Sequence, residues 1–311
     1  MFVIQNLRIL ILRGNRYFLR RIIRSFNRLL KLSEKNSLNV IQEMSSGIEQ
    51  NKLVISASKY DMFTSPGEDY YSEQYWQLIQ DFMPDRDNKI NLLDLGTGQG
   101  RMVQKFLENF PRVEIKCCDI SEIAINNLKV NVAISANQKI DAVVSGYASY
   151  IETIDSSSID IILFTEVSFY SPGWEKILLE IRRVLRPGGL FISSHRSRYF
   201  NAMALLSLGH IKAAAQILEK NTGRLFGTSN LQFSWNDSAS IRDLVEGAGF
   251  VVLKVAGLGV LSGIKGDPHE FLAEPGILPQ DDLQALMKLE KQASEVVPDV
   301  GRYIIFVARK A

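Results

Sequence analysis

Three glycines at alternate positions, Gly96, Gly98 and Gly100, follow an apolar run that carries one carboxylate, Asp94. Glycine lets a backbone take positive φ and come close to a ligand. The stretch that follows has helical spacing, and the start of a helix presents free N–H groups. A second carboxylate, Asp119, closes the next apolar run, 19 residues after Gly100. An acid at the tip of that strand can accept both hydroxyls of a ribose. The residue types therefore suit an adenosine-bearing ligand, approached by bare backbone and gripped at its sugar. The spacing is not that of a dinucleotide site, which needs a third glycine where Arg101 stands, and Gly100 comes one residue early. A ligand without a pyrophosphate does not require the phosphate-cradling turn, so the spacing disfavours an NAD-dependent oxidoreductase.

The elements that must hold these residues follow a βα rhythm from Lys89 onward. Short apolar runs at 90–95, 113–118, 142–145, 159–164 and 190–194 read as strands. Stretches of helical spacing at 101–109, 122–130 and 174–185 separate most of them. Near-continuous apolar strands alternating with helices indicate a parallel sheet covered on both faces. The rhythm breaks after Ser194, where residues 196–230 form an insertion with an expected helix at 203–218. The Asn236-Asp237-Ser238 triplet caps a helix that ends at Gly249, and 250–255, 281–297 and 303–308 read as strand, helix and strand. Ahead of the core, an expected helix at 72–82 lies in a stretch rich in aromatic residues.

With those motifs in place, a resemblance is visible. The stretch Leu92-Leu93-Asp94-Leu95-Gly96-Thr97-Gly98-Gln99-Gly100 resembles motif I of the class I S-adenosylmethionine-dependent methyltransferases. The Cys118-Asp119-Ile120-Ser121 stretch resembles the end of their second strand. The segment from Leu178 to Gly189 is similar to their approach to the fifth strand, and Trp235 to Phe250 to their late helix. The resemblance spans about residues 91–250. It implies a doubly wound α/β fold: a mostly parallel seven-stranded sheet with an antiparallel last strand, N-terminal helices, and a helical insertion after the fifth strand. It implies S-adenosyl-L-methionine as cofactor. Gly96, Thr97, Gly98 and Gly100 would surround the methionine part with Asp94 just before them, Asp119 would hold the ribose and Ile120 would cover the adenine. Thr165 and Glu166 would line the cleft at the end of the fourth strand. The family often has Gly-Asp-Ala after the third strand, but here it reads Gly146-Tyr147-Ala148, so Tyr147 is expected beside the adenine, with backbone groups doing the recognition.

A sulfonium is a strong leaving group, so positioning and exclusion of water can supply most of the acceleration, and a base is needed only for a protonated acceptor. Three histidines are present. His195 directly follows the fifth strand, where ligands bind in an open α/β sheet, and is the candidate base. Tyr70, Tyr71, Tyr170 and Arg196 are candidates for the acceptor pocket, Arg196 and its neighbour Arg198 as ligands for an acidic group. The Thr165-Glu166-Val167-Ser168-Phe169-Tyr170 run is not the Asn-Pro-Pro-Tyr type signature of enzymes that methylate amino groups of DNA, RNA or protein glutamine. These features suggest a small metabolite, a saccharide precursor or a lipid-like molecule as acceptor. A non-catalytic binding module that keeps the fold is the alternative from another class.

Charge is distributed unevenly. Residues 1–35 hold nine Lys/Arg and one acid, while the remainder carries 27 basic and 33 acidic residues. A mildly acidic body argues against a broad nucleic-acid footprint. Within the arm, Arg16, Arg20, Arg24 and Arg28 fall opposite Phe18, Ile22, Phe26 and Leu30 on a helix. Three readings stay open for this segment: a helix lying on an anionic membrane, a cleavable targeting segment, or a helix packed on the body. Residues 36–88 read as a connector with the pre-core helix, and 89–311 as the catalytic domain. The two adjacent cysteines, Cys117 and Cys118, read as reduced strand residues, which suits a cytoplasmic setting, and their spacing suits no metal site.

Overall fold

The computed structural model describes residues 67–223, 232–264 and 267–311. All of them lie in one compact unit made of residues 50–227 and 231–311, whereas a second unit, 1–49 with 228–230, lies outside the described residues. The basic helix read at 1–35 therefore lies outside the described residues.

Helix α1 (Glu68–Ile79) precedes the sheet and opens with two acids, Glu68 and Asp69, that complement its dipole. Strand β1 (Ile90–Leu95), helix α2 (Arg101–Asn109), β2 (Val113–Asp119), α3 (Glu122–Asn131) and β3 (Lys139–Val144) follow. A short α4 (Tyr147–Glu152) leads to β4 (Ile159–Phe164), α5 (Leu178–Val184) and β5 (Leu185–Arg196). Past β5 lie α6 (Arg198–Ser207), α7 (Ile211–Glu219) and a small hairpin of β6 (Thr222–Gly223) and β7 (Phe233–Ser234). Helix α8 (Ser238–Gly247), β8 (Phe250–Leu258), α9 (Gln280–Val296) and β9 (Tyr303–Lys310) complete the chain.

The sheet has seven strands in the order β3-β2-β1-β4-β5-β9-β8. Strands β1 to β5 run parallel, and β9 inserts antiparallel between β5 and β8. Its two faces bury separate clusters. Leu92, Ile161, Ile192 and Ile305 face α1, α2 and α9, while Leu93, Ile162, Phe191 and Phe306 face α5 and α8. The period of two explains the adjacent cysteines: Cys117 joins the first cluster and Cys118 the second, both as buried free thiols. Expectation and structure differ where backbone geometry intervenes. The helix read at 203–218 is two helices, because Gly209 takes φ 79° between them. The helix read at 174–185 begins as a 3₁₀ turn, and β5 already starts at Leu185. Asp237 caps α8 in a reciprocal box with Ser240, as the triplet there indicates. No helix among the described residues is long and apolar enough to cross a membrane.

Phe306 is fully buried at the middle of β9, the strand that joins β5 to β8. Phe306→Ala should cost about 3–5 kcal/mol of stability, read as a drop in urea midpoint at unchanged slope.

Candidate active site

Strand β1 is paired with β2 on one side and β4 on the other, so the chain reverses its winding beside the β1 terminus. The carboxyl ends of strands at such a reversal border a crevice. The glycine turn occupies this place. Gly96 and Thr97 donate their N–H groups to Cys118 O at 2.9 Å each, which ties the turn to the end of β2. Gly96 takes φ 80°, and a Cβ there would lie 2.3 Å from Val167 Cγ2. Gly98 is also left-handed, but a Cβ on it would meet nothing within 4 Å. The turn is thus bare on the side that Gly98 presents.

Asp119 faces that turn. Its Oδ2 accepts the Gly98 N–H at 2.9 Å and its Oδ1 the Ser121 N–H at 2.8 Å. Burial raises its pKa above the ordinary carboxylate value, and these N–H groups oppose the rise. Ile120, half-buried, sits beside Gly146 at the turn into α4. Asp94 is almost fully buried. Its Oδ2 accepts from Thr97 Oγ1 at 2.8 Å, and its Oδ1 has no protein partner. Burial pushes the Asp94 carboxyl up to about 7, against the pull of the Thr97 hydroxyl.

A second set of groups gathers where β4 and β5 end. Glu166 holds φ 61°, a left-handed conformation that costs a non-glycine residue of order 1–3 kcal/mol. Its N–H is bonded to Ser194 Oγ at 2.9 Å, and its carboxylate receives Tyr75 Oη at 3.1 Å and the Arg101 guanidinium. Arg101 also pairs with Glu68 at 3.0 Å and lies over the Tyr75 ring. Burial alone would raise the Glu166 carboxyl, but Arg101, the Tyr75 hydroxyl and the Arg196 charge together outweigh it and take the group below its ordinary value. The sequence reading picked out Glu166 but missed Tyr75, Glu68, Ser194 and Arg101. One signal was available for Arg101: a cation at the first position of a helix opposes the dipole, which calls for a tertiary partner.

Several expected residues lie elsewhere. His195 is a correction, for it does not follow β5 but belongs to it, fully buried. Its ring nitrogens lie 3.0 Å from Ser168 Oγ and 2.9 Å from Ser193 Oγ, and it packs on Trp174. Desolvation takes it down to about 3, so it is a neutral core residue and not a base open to the crevice. Tyr70 and Tyr71 are corrected too. Both are buried in the first core cluster, with Tyr71 Oη 3.5 Å from Ser262 Oγ and its ring against Arg302. Tyr75, one turn further along α1, is the tyrosine that reaches the ends of β4 and β5. Tyr147 is half-buried, its ring on Phe164 and its hydroxyl 2.6 Å from Ser171 Oγ. Thr165 is half-buried beside Glu166. Tyr170 and Arg196 do come together near Glu166: burial raises the Tyr170 phenol, and the Arg196 charge opposes that rise. Arg198 pairs with Asp237 at 3.1 Å.

The profile of a methyltransferase domain matches residues 86–241, half of the chain. The chain belongs to the S-adenosylmethionine-dependent methyltransferase family. Among curated proteins this methyltransferase is 28% identical over 155 residues to a thiol S-methyltransferase, TMT1B, of Rattus norvegicus. That match covers 49% of the chain and 59% of the relative, so the chain spans under two thirds of that protein's length. It is 23% identical over 217 residues to a human tRNA N(3)-cytidine methyltransferase, METTL6, covering 67% of the chain and 75% of the relative. A solved Listeria monocytogenes chain described as an S-adenosylmethionine-dependent methyltransferase superposes with TM-score 0.52 at 16% identity. It covers 77% of this chain and 98% of that one, and it supports the fold.

The residues present fit the cofactor. A bare glycine turn, the Asp119 carboxylate with lone pairs left over, and a buried Asp94 oxygen without a partner make a set that favours a cationic, hydroxyl-bearing ligand. Asp94 has a measurable consequence. The folded chain keeps a proton on it up to about pH 7, whereas the unfolded chain releases it near pH 4. Stability from this group is therefore full at low pH and lost as pH rises through about 7. The stability of Asp94→Asn relative to the natural chain should climb across that window by at most about 4 kcal/mol, followed by urea denaturation at stepped pH.

Proposed function

We propose that this methyltransferase acts on a small-molecule, saccharide or lipid-like acceptor held beyond the ends of β4 and β5, next to a cofactor held at the glycine turn. The observation that carries the reading is the Asp119 carboxylate turned onto the Gly98 N–H, with β1 standing between it and the strand that leads to Glu166. In this reading Asp119 accepts the ribose hydroxyls, the bare backbone of Gly96 to Gly100 lies along the methionine part, and Ile120 and Tyr147 flank the adenine. The cofactor, when bound, supplies a methyl group activated on a sulfonium. The chain's own part is to place the acceptor and exclude water. Glu166, pinned by Arg101, Tyr75 and Ser194, forms a rigid polar rim between the two ligands. On the acceptor side Phe169, Tyr170 and Phe233 pack ring on ring, Phe169 and Phe233 at 4.9 Å. A wall of two buried rings, Phe169 and Phe233, and the half-buried Tyr170 suits a compact molecule better than a polynucleotide backbone, and the thiol methyltransferase relative acts on a thiol by its name. The tRNA methyltransferase relative motivates the second reading, an RNA acceptor.

Titration calorimetry should show binding of S-adenosylmethionine and S-adenosylhomocysteine and no heat with NAD; comparable NAD binding would dismiss the reading. Gly98→Ala should lose only about 1–2 kcal/mol of stability, since its Cβ meets open space and the cost is the left-handed backbone. Its cofactor affinity should nevertheless fall at least about tenfold, because the methyl group enters the space reserved for the ligand. Incubation of the chain with methyl-labelled cofactor and a whole-cell extract, split into small-molecule and RNA fractions, tests the acceptor. Label confined to the RNA fraction would overturn the small-acceptor reading.

A further inference from the structure

The arginines around the acceptor side are not alike. Arg101 pairs with Glu68 and Glu166, Arg198 with Asp237, and Arg302 with Asp267. Arg196, the last residue of β5, makes no ion pair or hydrogen bond through its side chain among the described residues, and its Nε and Nη1 are both buried without a partner. Three aromatic rings hold it instead. Its guanidinium carbon lies 4.6 Å from the Tyr303 ring centroid, 5.0 Å from Phe200 and 5.1 Å from Phe169. Those rings come from β9, from α6 and from the turn after β4.

Ring faces offset part of a cation's burial cost, but they do not accept the in-plane N–H groups of a guanidinium fork. A buried donor left unpaired is costly, and a bound acceptor removes that cost. The nearby acceptors are engaged or out of bonding reach: Glu166 Oε1 takes Arg101 and Tyr75, the Glu166 charge acts on Arg196 only through space, and the Ser168 hydroxyl lies against His195. The rings also immobilise the side chain, so little rotamer freedom remains to be lost when a ligand arrives. The position is that of an acceptor site. Ser194, two residues back on the same strand face, bonds the Glu166 N–H, so Arg196 lies one pleat further out from the proposed methyl-transfer point.

We infer that Arg196 is the anchor for an oxyanion, a carboxylate or phosphate, carried by the acceptor, which makes this methyltransferase an enzyme of anionic small molecules. The inference rests on the functional reading above and goes further by naming the charge of the substrate. The planar fork and its ring cage give the acceptor a fixed point at some distance from the methylated atom, so the orientation of the reacting group is set before transfer.

The test reads Arg196 directly. The full chain is labelled with ¹⁵N-arginine, saturated with S-adenosylhomocysteine, and titrated with benzoate and with inorganic phosphate, against sodium chloride at matched ionic strength. The Nε resonance of Arg196, assigned by its loss in Arg196→Lys, should move saturably with at least one anion, in the millimolar range, and not with chloride. Benzoate alone, phosphate alone, or both would say which oxyanion the site takes. The same titration by calorimetry should be weakened about tenfold or more in Arg196→Lys, which keeps the charge but not the fork. No shift with either anion, or an equal shift with chloride, overturns the inference. If Arg196→Lys does not fold, the Nε resonance is assigned through bonds from the Arg196 backbone amide in the doubly labelled natural chain, and its movement against the chloride control decides it. Binding of S-adenosylhomocysteine is measured separately. If it binds and neither anion moves Arg196, the anion anchor falls and the functional reading stands. If it fails to bind, the functional reading falls by itself, and the response of Arg196 is judged on the same comparison without it.

Discussion

The Asp119 carboxylate, accepting one N–H from the glycine turn and one from the start of the next helix, joins the turn, the end of β2 and the entry to α3 at one side chain. The bond to Gly98 sets the height of the turn relative to β2, and the Gly96 and Thr97 bonds to Cys118 O repeat the constraint from the backbone. Because β1 pairs with both β2 and β4, fixing the turn against β2 also fixes its distance from Glu166 across the reversal of the sheet. A buried carboxylate is costly unless its oxygens are bonded. Here the bonds that remove the cost are the ones that shape the crevice.

The opposite wall depends on a different economy. Glu166 stands in a left-handed conformation that a non-glycine residue adopts only when its surroundings over-determine it. Ser194 holds its N–H, while Arg101 and Tyr75 hold its carboxylate. Each partner comes from a different element: β5, α2 and α1. The pre-core helix is therefore part of the site, through Tyr75 and Glu68, as well as part of the first core cluster through Tyr70 and Tyr71. Buried pairs of this kind are expensive to disrupt and of modest net stabilising value, so their effect here is to specify one arrangement of the rim.

His195 and Arg196 are neighbours in β5 with opposite fates. Strand alternation sends the imidazole into the second core, where desolvation keeps it neutral, and the guanidinium to the crevice side, among rings that cannot satisfy its donors. A single step of register would exchange them.

Local chemistry in the sequence was enough for a good deal. The β1 run, the spacing of Gly96, Gly98 and Gly100, the acid at Asp119, the Asp237 cap and the seven-strand count are all written in short stretches, because turn backbones, caps and apolar periods act over a few residues. The side to which a residue at a strand end points is also local in principle, yet the end of β5 could not be placed to within two residues, and His195 was misjudged for that reason. What only the tertiary structure decided is what depends on elements far apart in the chain. It placed β9 between β5 and β8, put Tyr75 rather than Tyr71 at the rim, brought Arg101 across 65 residues to Glu166, and left Arg196 caged without a carboxylate. Burial and pairing are properties of neighbours in space, and no periodicity along a chain can state who those neighbours will be.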